Sequence, residues 1–291
     1  MRRIQGTELQ QIQLGLLDEL MRVCKEIGVT PFLSGGTMLG AVRHKGFIPW
    51  DDDVDIMLFR EDYEKLLASF PNHDHFELRS YHTTPDYPFL YASLCDTRTI
   101  KIERNLRRRY TELLGVNLDL FPIDSIPEDD GIATECFRNV ARFDSVLKCA
   151  TYRFGSGKGV WGSIRKNIGI FLCRVVECFG IRIQRRILSR WDRFCSSRAE
   201  KSSHVAIMTI DHYGTKEINL AADYFPPVMT LFEGRLCPAP RETMRYLHNL
   251  YGEDCLELPP PEKRITHHES DCYWKDGFES TVVEKQPCAE R

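Results

Sequence analysis

The sequence predicts an α+β fold, α/β-like in its first half, carrying a helical insertion. Short β-like runs alternate with helical segments as far as Phe121, the pattern of an α/β or α+β domain. The stretch from 130 to 200 reads differently, as helix almost throughout. The 291 residues suffice for one large domain or one domain with an insertion, and 42% hydrophobic with 28% charged content is ordinary for a soluble globular chain.

From 7 to 27, Leu9, Ile12, Leu16, Leu20, Val23 and Ile27 recur at helical spacing. Thr7 reads as the cap of this helix and Gly28 as its stop, with the apolar face suited to packing on a sheet. Strands follow near Phe32 and at 54–59, 76–81, 89–94, 99–102 and 116–121, and a helix at 61–70 separates the second from the third. Further on, 230–236 reads as a hairpin around Glu233-Gly234, and 241–251 as a helix ending at Gly252. Beyond Thr266 the chain is polar and reads as loosely ordered; the spacing of His267, His268 and Cys272 fits no standard metal site. The resulting division is a main domain of 1–129 with 201–265, a basic helical insertion at 130–200, and a polar tail at 266–291.

The segment that speaks most directly to chemistry is Ile48-Pro49-Trp50-Asp51-Asp52-Asp53-Val54-Asp55-Ile56. Packed carboxylates raise one another's pKa unless a cation sits among them. Because the following run is β-like, Asp53 and Asp55 are expected on one face of a strand. Such a pair suits Mg²⁺ or Mn²⁺, which take hard oxygen ligands. An exposed acidic turn is the commonest fate of a charge cluster, but this one runs straight into an apolar strand. An EF-hand is excluded, because its sixth and twelfth positions would be Ile56 and Asp62 where that loop needs Gly and Glu.

Before the cluster, 32–43 reads as a strand, a glycine turn and a helix start. Gly35 and Gly36 permit positive φ and close backbone approach, and Thr37 is placed to cap the helix. The amides of that first turn form an anion site suited to phosphate, to which Arg43 can add a charge-assisted contact. Alone this is an ordinary strand-to-helix turn as often as a site; close before an Asp-x-Asp strand it places a phosphate cradle opposite a metal site, as phosphoryl or nucleotidyl transfer requires. Asp119, inside the β-like run Val116 to Phe121, is costly there unless it is paired or metal-bound, so it reads either as the third ligand or as a strand-end partner of an arginine. Asp124, after Pro122, reads as a turn residue.

Together these residues resemble the LicD family, relatives of fukutin and fukutin-related protein. The resemblance rests on Gly35-Gly36-Thr37-Met38-Leu39-Gly40, Arg43, the 48–56 segment and Leu118-Asp119-Leu120-Phe121-Pro122. It continues through Phe232-Glu233-Gly234-Arg235, Tyr251-Gly252, Pro259-Pro260 and Arg264, and so spans about 30 to about 265. The resemblance implies a nucleotidyltransferase-like mixed sheet flanked by helices. It carries metal-binding carboxylates onto Asp53, Asp55 and Asp119 and the family's helix start onto Gly36 and Thr37; the expected substrate-binding residues are Gly35, Gly36, Thr37, Arg43, Trp50 and Arg264. It implies CDP-choline as donor, CMP as product, and as acceptor a sugar hydroxyl on a lipopolysaccharide, teichoic acid or capsule precursor. Asp119 or Asp51 would take the acceptor's proton. One departure is Ser93, where the family often carries a basic residue; Arg98 or Lys101 would then supply the charge. Glycerol phosphate, ribitol phosphate or phosphoethanolamine transfer remains an alternative, as does a non-catalytic nucleotide-binding module, against which the intact Asp53, Asp55 and Asp119 argue. A choline headgroup calls for an aromatic cage, for which Trp50, Tyr87, Tyr91 and Trp161 are candidates.

The net charge of −3 selects no partner by itself. Between Lys158 and Arg193, however, nine basic residues face only Glu177 and Asp192, a local charge of +7. Trp161, Ile164, Ile168, Phe171, Leu172, Val175 and Phe179 share that segment at helical spacing. It fits either a helix facing the core with a solvated basic back or one lying on an anionic membrane near a lipid-linked acceptor. No aromatic-interleaved basic sheet supports a nucleic-acid partner. The 11 cysteines lack any C-x-x-C pair and read mostly as small core residues, Cys24, Cys173 and Cys178 among them, which suits a reducing cytosol. The polar N-terminus does not read as a signal peptide, and no apolar run approaches the roughly 20 residues of a membrane span. The expected location is therefore cytoplasmic, with peripheral attachment to the inner face of the membrane through 158–193.

Overall fold

A computed structural model describes residues 1–155, 160–197, 202–264 and 270–278. In chain order the first elements are β1 (Arg3–Ile4), α1 (Thr7–Ile27), β2 (Phe32–Leu33), α2 (Gly35–His44), β3 (Asp55–Phe59), α3 (Arg60–Ser69), β4 (Phe76–Arg79), β5 (Ala92–Asp96), β6 (Thr99–Glu103) and the single turn α4 (Arg108–Thr111). After them come β7 (Asn117–Ile126), α5 (Asp130–Thr151), α6 (Val160–Cys178), α7 (Ile183–Ser196), β8 (His204–Ile207) and β9 (Asn219–Leu220). The last are β10 (Val228–Phe232), β11 (Arg235–Ala239), α8 (Thr243–Tyr251) and β12 (Ser270–Trp274). The fold is α+β, as the alternation of periods predicts.

The main sheet runs β2-β3-β7-β5-β4, with β8 and β9 continuing from β7. Only β3 and β7 pair in parallel within it. Along one edge β7 pairs with β3; along the other it pairs with β5 up to Leu120 and with β8 from Ile123. Pro122, which has no N–H to donate, falls in the gap between those two partners. The strand therefore runs past Phe121 to Ile126, longer than predicted, and Asp124 is a buried strand residue instead of a turn. Arg60 grips it with two bonds of 2.7 Å each.

α1 lies against the sheet through Leu16, Leu17 and Leu20, all fully buried. Thr7 is its first helical residue, not its cap; the cap position belongs to Gly6, because the chain enters the helix from β1 through a left-handed turn at φ 54°. The β10–β11 hairpin turns at Glu233-Gly234 as predicted. Its Glu233 carboxylate accepts from the Phe47 amide at 3.1 Å, and Arg235 forks onto Asp18 of α1 at 2.6 and 2.7 Å. The Phe-Glu-Gly-Arg motif thus clamps the hairpin to α1 and to the end of α2.

The helical insertion does not stand apart. Val140 of α5 and Leu188 and Trp191 of α7 share a core with Leu90, Ile126, Ala206 and Met208 from the sheet side. Trp191 donates from Nε1 to the Met208 carbonyl at 2.8 Å, and Asp192 accepts from the Tyr81 hydroxyl at 2.6 Å. Cys178, expected in the core, is exposed at the end of α6. The predicted loose tail is also corrected: β12 lies between β1 and β6 in a second, antiparallel sheet, where Cys272 and Trp274 are buried. That pairing buries apolar side chains that a polar average over 266–291 conceals; His267 and His268 lie outside the described residues. All ten described cysteines are free, and no described helix is long and apolar enough to cross a membrane.

A Cβ on Gly40 would lie 2.5 Å from the Gly46 carbonyl oxygen, whereas one on Gly15 of α1 meets nothing within 4 Å. Gly40→Ala should therefore cost about 1–3 kcal/mol, and Gly15→Ala should gain about 0.5–1 kcal/mol. Urea unfolding of the two variants checks the opposite signs.

Candidate active site

The parallel register places Asp55 directly beside Asp119. β3 begins only at Asp55, so Asp53 lies on the approach to the strand and not within it as predicted. Asp51, Asp53, Asp55 and Asp119 nevertheless line one cavity. Burial pushes the Asp55 carboxyl well above its ordinary value, and the charges of Asp53, Asp119 and Asp51 push it further. Burial also raises Asp119, against the pull of Lys101 and of a hydrogen bond from Ser93.

Asp119 is held by a small network. Its Oδ1 accepts from Ser93 Oγ and from Asn117 Nδ2, each at 2.6 Å, and the Tyr87 hydroxyl lies 2.6 Å behind Ser93 Oγ. Lys101 Nζ donates to Asn117 Oδ1 at 3.2 Å. Burial alone would lower Lys101, but Glu103, Asp119 and Asp53 outweigh it and keep the ammonium charged. Of the two cations proposed to compensate for Ser93, Lys101 is the one beside the carboxylates. Arg98 is paired with Asp96 and stacked 5.4 Å over Trp274.

The helix start follows the predicted layout with its roles redistributed. Ser34, not Thr37, occupies the cap position. Thr37 is buried in the first turn, and its hydroxyl accepts from the Asp55 amide at 2.9 Å, fastening α2 to the acidic strand. Gly35 has φ +48°, and its amide donates to the Tyr246 hydroxyl at 2.9 Å. At Gly36 a Cβ would lie 2.7 Å from Asp51 Oδ2, so the missing side chain lets a carboxylate reach the positive end of the helix. The anion position expected for phosphate is approached by Asp51 itself. Tyr246 comes from α8 and had no local signal.

Arg43 and Arg264 flank Trp50, at 5.9 and 5.6 Å from its ring centroid. Arg43 also donates to the Cys255 and Glu257 carbonyls at 3.1 Å each, and Arg264 to the Pro259 carbonyl at 2.7 Å. Two guanidinium groups on one indole leave it ill-suited to a further cation, so Trp50 is a support for the arginines and not an ammonium cage. Tyr87 is fully buried behind Ser93 and takes no part in the cavity wall. The side chain of Trp161 lies outside the described residues. Tyr91 does line the cavity, stacked on Phe89 at 5.0 Å and 9° and tilted against Phe121 at 4.8 Å.

The cavity measures ≈ 1210 Å³. Its lining joins the carboxylates, Ser34, Gly35 and Gly36 with Asp144, Lys148, Tyr152 and Trp191 from the helical insertion.

Residues 28–141 match the family described as LicD/FKTN/FKRP, nucleotidyltransferase domain. This segment is a LicD-family domain. It runs past the predicted boundary at 129 into α5. Along the whole chain, lipopolysaccharide cholinephosphotransferase LicD of Haemophilus influenzae is 25% identical over 290 residues, 94% of this chain and 99% of that protein. Ribitol 5-phosphate transferase FKRP of Homo sapiens is 50% identical over 40 residues, 14% of this chain but 8% of FKRP. An uncharacterized protein of Rickettsia prowazekii is 32% identical over 102 residues, 32% of this chain and 37% of its own. The LicD-family segment contains Asp51, Asp53, Asp55, Asp119 and the α2 start, whereas Tyr246 and the cavity-lining Tyr213 and Tyr251 lie outside it.

The donor set suits a hard divalent cation: buried carboxylates that raise one another need positive charge, and hard cations take oxygen ligands. Among the described residues, no three His, Cys, Asp or Glu side chains are drawn into a closed metal cage. The chemistry fits a divalent ion; the ligand oxygens would have to close around it.

Glu217 was not singled out in the sequence, yet it lines the same cavity and is 4% exposed. Burial pushes its carboxyl from 4.5 up to about 8. The folded chain therefore holds this proton where the unfolded chain has lost it, so stability is highest below the unfolded value and falls as pH rises towards the folded one. Glu217→Gln should melt higher than the parent at pH 8 and equally at pH 4.5, which melting curves at the two pH values test.

Proposed function

We propose that this LicD-type chain is a metal-dependent phosphotransferase. It would move phosphocholine from CDP-choline to a sugar hydroxyl of a cell-surface glycan precursor and release CMP. The observation that carries the reading is the register pairing of Asp55 with Asp119 beside the start of α2, which brings an acidic floor against an anion-binding helix end. The relatives support the class of chemistry: the H. influenzae protein is named as a cholinephosphotransferase and FKRP as a ribitol 5-phosphate transferase.

Asp53, Asp55 and Asp119 would hold Mg²⁺ or Mn²⁺, which when bound would offset diphosphate charge. The chain's own residues do the rest. On this reading the first-turn amides of α2 at Gly36 and Thr37 would take the transferring phosphate in place of the Asp51 carboxylate that approaches them, and Arg43 and Lys263 add positive charge to the cavity wall. Thr37 keeps the cradle in register with Asp55. The acceptor hydroxyl attacks phosphorus, the bond to the CMP oxygen breaks, and the hydroxyl proton passes to a cavity carboxylate, Asp119 or Asp51. The Phe89–Tyr91–Phe121 wall beside anionic groups favours a cationic alcohol such as choline over glycerol or ribitol.

Calorimetric titration of CDP-choline, CDP-glycerol and CDP-ribitol with Mg²⁺ is expected to show tightest binding of CDP-choline. Preference for a polyol donor would move the assignment to that alcohol, and silence from all three would favour a non-catalytic module. With purified donor and acceptor, Asp53→Ala should lose at least about 100-fold in turnover without a lower melting temperature, since it removes one of several repelling carboxylates. Full activity in that variant would refute the scheme.

A further inference from the structure

The outer face of α6 is the largest feature that transfer chemistry leaves unexplained. Ile164, Ile168, Phe171, Leu172 and Val175 follow the i, i+4, i+7, i+8, i+11 spacing of one helical stripe, and Phe179 extends it just past the helix end. These apolar side chains are not buried: Phe171 is 59% exposed, Leu172 58% and Phe179 78%. The opposite face is the packed one, where Ile170 and Cys173 are buried. A core-facing stripe with a solvated basic back, one of the two arrangements open from sequence, is therefore reversed. A contiguous exposed apolar stripe of this kind marks a contact surface.

Charge says what the surface contacts. Arg165 is exposed next to Ile164. Three residues beyond Phe179 a second stripe begins, Arg182, Arg186 and Arg190, exposed along one side of α7. Among the described residues none of these four arginines forms an ion pair. A second copy of this chain would bring like charges together across a symmetric contact. An anionic bilayer supplies apolar depth for the stripe and negative charge for the arginines.

We propose that α6 and the start of α7 dock this protein onto an anionic membrane surface, apolar stripe inward. The packed side of α6 reaches the cavity wall: Lys166 Nζ lies 4.3 Å over the Tyr152 ring, Arg174 Nη2 donates to the Tyr152 carbonyl at 3.4 Å, and Tyr152 lines the cavity. Docking thus sets the cavity wall one helix diameter, roughly 10 Å, from the lipid surface, within reach of a membrane-borne acceptor.

The test is flotation of the full-length protein with vesicles of phosphatidylcholine alone or mixed with phosphatidylglycerol. Binding is expected to the mixed vesicles at low salt, weakening as salt rises. Phe171→Ser with Leu172→Ser should reduce it at least tenfold, and Arg165→Gln or Arg186→Gln about fivefold each. Leu236→Ser, which removes an equally exposed apolar side chain from the β10–β11 hairpin, should leave it unchanged. Unaltered circular-dichroism melts keep loss of fold out of the comparison. Absence of flotation at low salt overturns the proposal. So does loss confined to Leu236→Ser, or a sedimentation mass showing that the parent is a dimer which the Phe171/Leu172 variant splits. None of these results depends on which phosphate donor the cavity takes.

Discussion

Everything about this site follows from one backbone pairing. β3 and β7 run in parallel with Asp55 opposite Asp119, so two carboxylates are fixed side by side by main-chain hydrogen bonds and not by any attraction of their own. Two like charges in that position cost free energy, and the surroundings are built around the cost. Ser93 and Asn117 spend their donors on Asp119, Lys101 stays charged nearby, and Thr37 ties the Asp55 amide to α2. Asp51, Asp53, Asp55 and Asp119 thus share one cavity, with the charged Lys101 beside them.

The second organising feature is how many separated segments meet at α2. Its start is held by Tyr246 from α8, its first turn is approached by Asp51, and its far end is clamped by Glu233 at the Phe47 amide. Gly40 lets the turn after α2 fold back against the helix. The glycines of Gly35-Gly36-Thr37-Met38-Leu39-Gly40 therefore answer three geometric demands: a left-handed φ, a carboxylate at close range, and a backbone carbonyl at close range.

Much of this was legible in the sequence, and the failures have a common physical cause. Periodicity located α1, α3, α8, the hairpin and most strands, because each buries one face at a regular spacing. Spacing brought out Asp53, Asp55 and Asp119, because a carboxylate against an apolar strand is locally conspicuous. Misreadings arose where a distant partner decides. Asp124 was read as a turn because Arg60, which permits its burial, lies 64 positions away. Trp50 looked like an ammonium cage because the two arginines covering it cannot be placed from sequence. β12 was hidden in a polar tail because its value to the fold comes from β1 and β6. Tyr246 and Glu217 carried no local signal at all; only the folded chain brings Tyr246 to the start of α2 and Glu217 to the cavity.

The cavity has two authors. The acidic floor and the α2 start lie within 28–141, whereas Asp144, Lys148 and Tyr152 at the end of α5 and Trp191 of α7 fall beyond residue 141. On the proposed reaction, bond making would depend on the floor, and an acceptor large enough to fill the remainder would have to fit Asp144, Lys148, Tyr152 and Trp191. If the proposed reaction holds, a different helical segment on the same sheet would alter which recipient molecule fits while leaving the phosphate-handling floor in place.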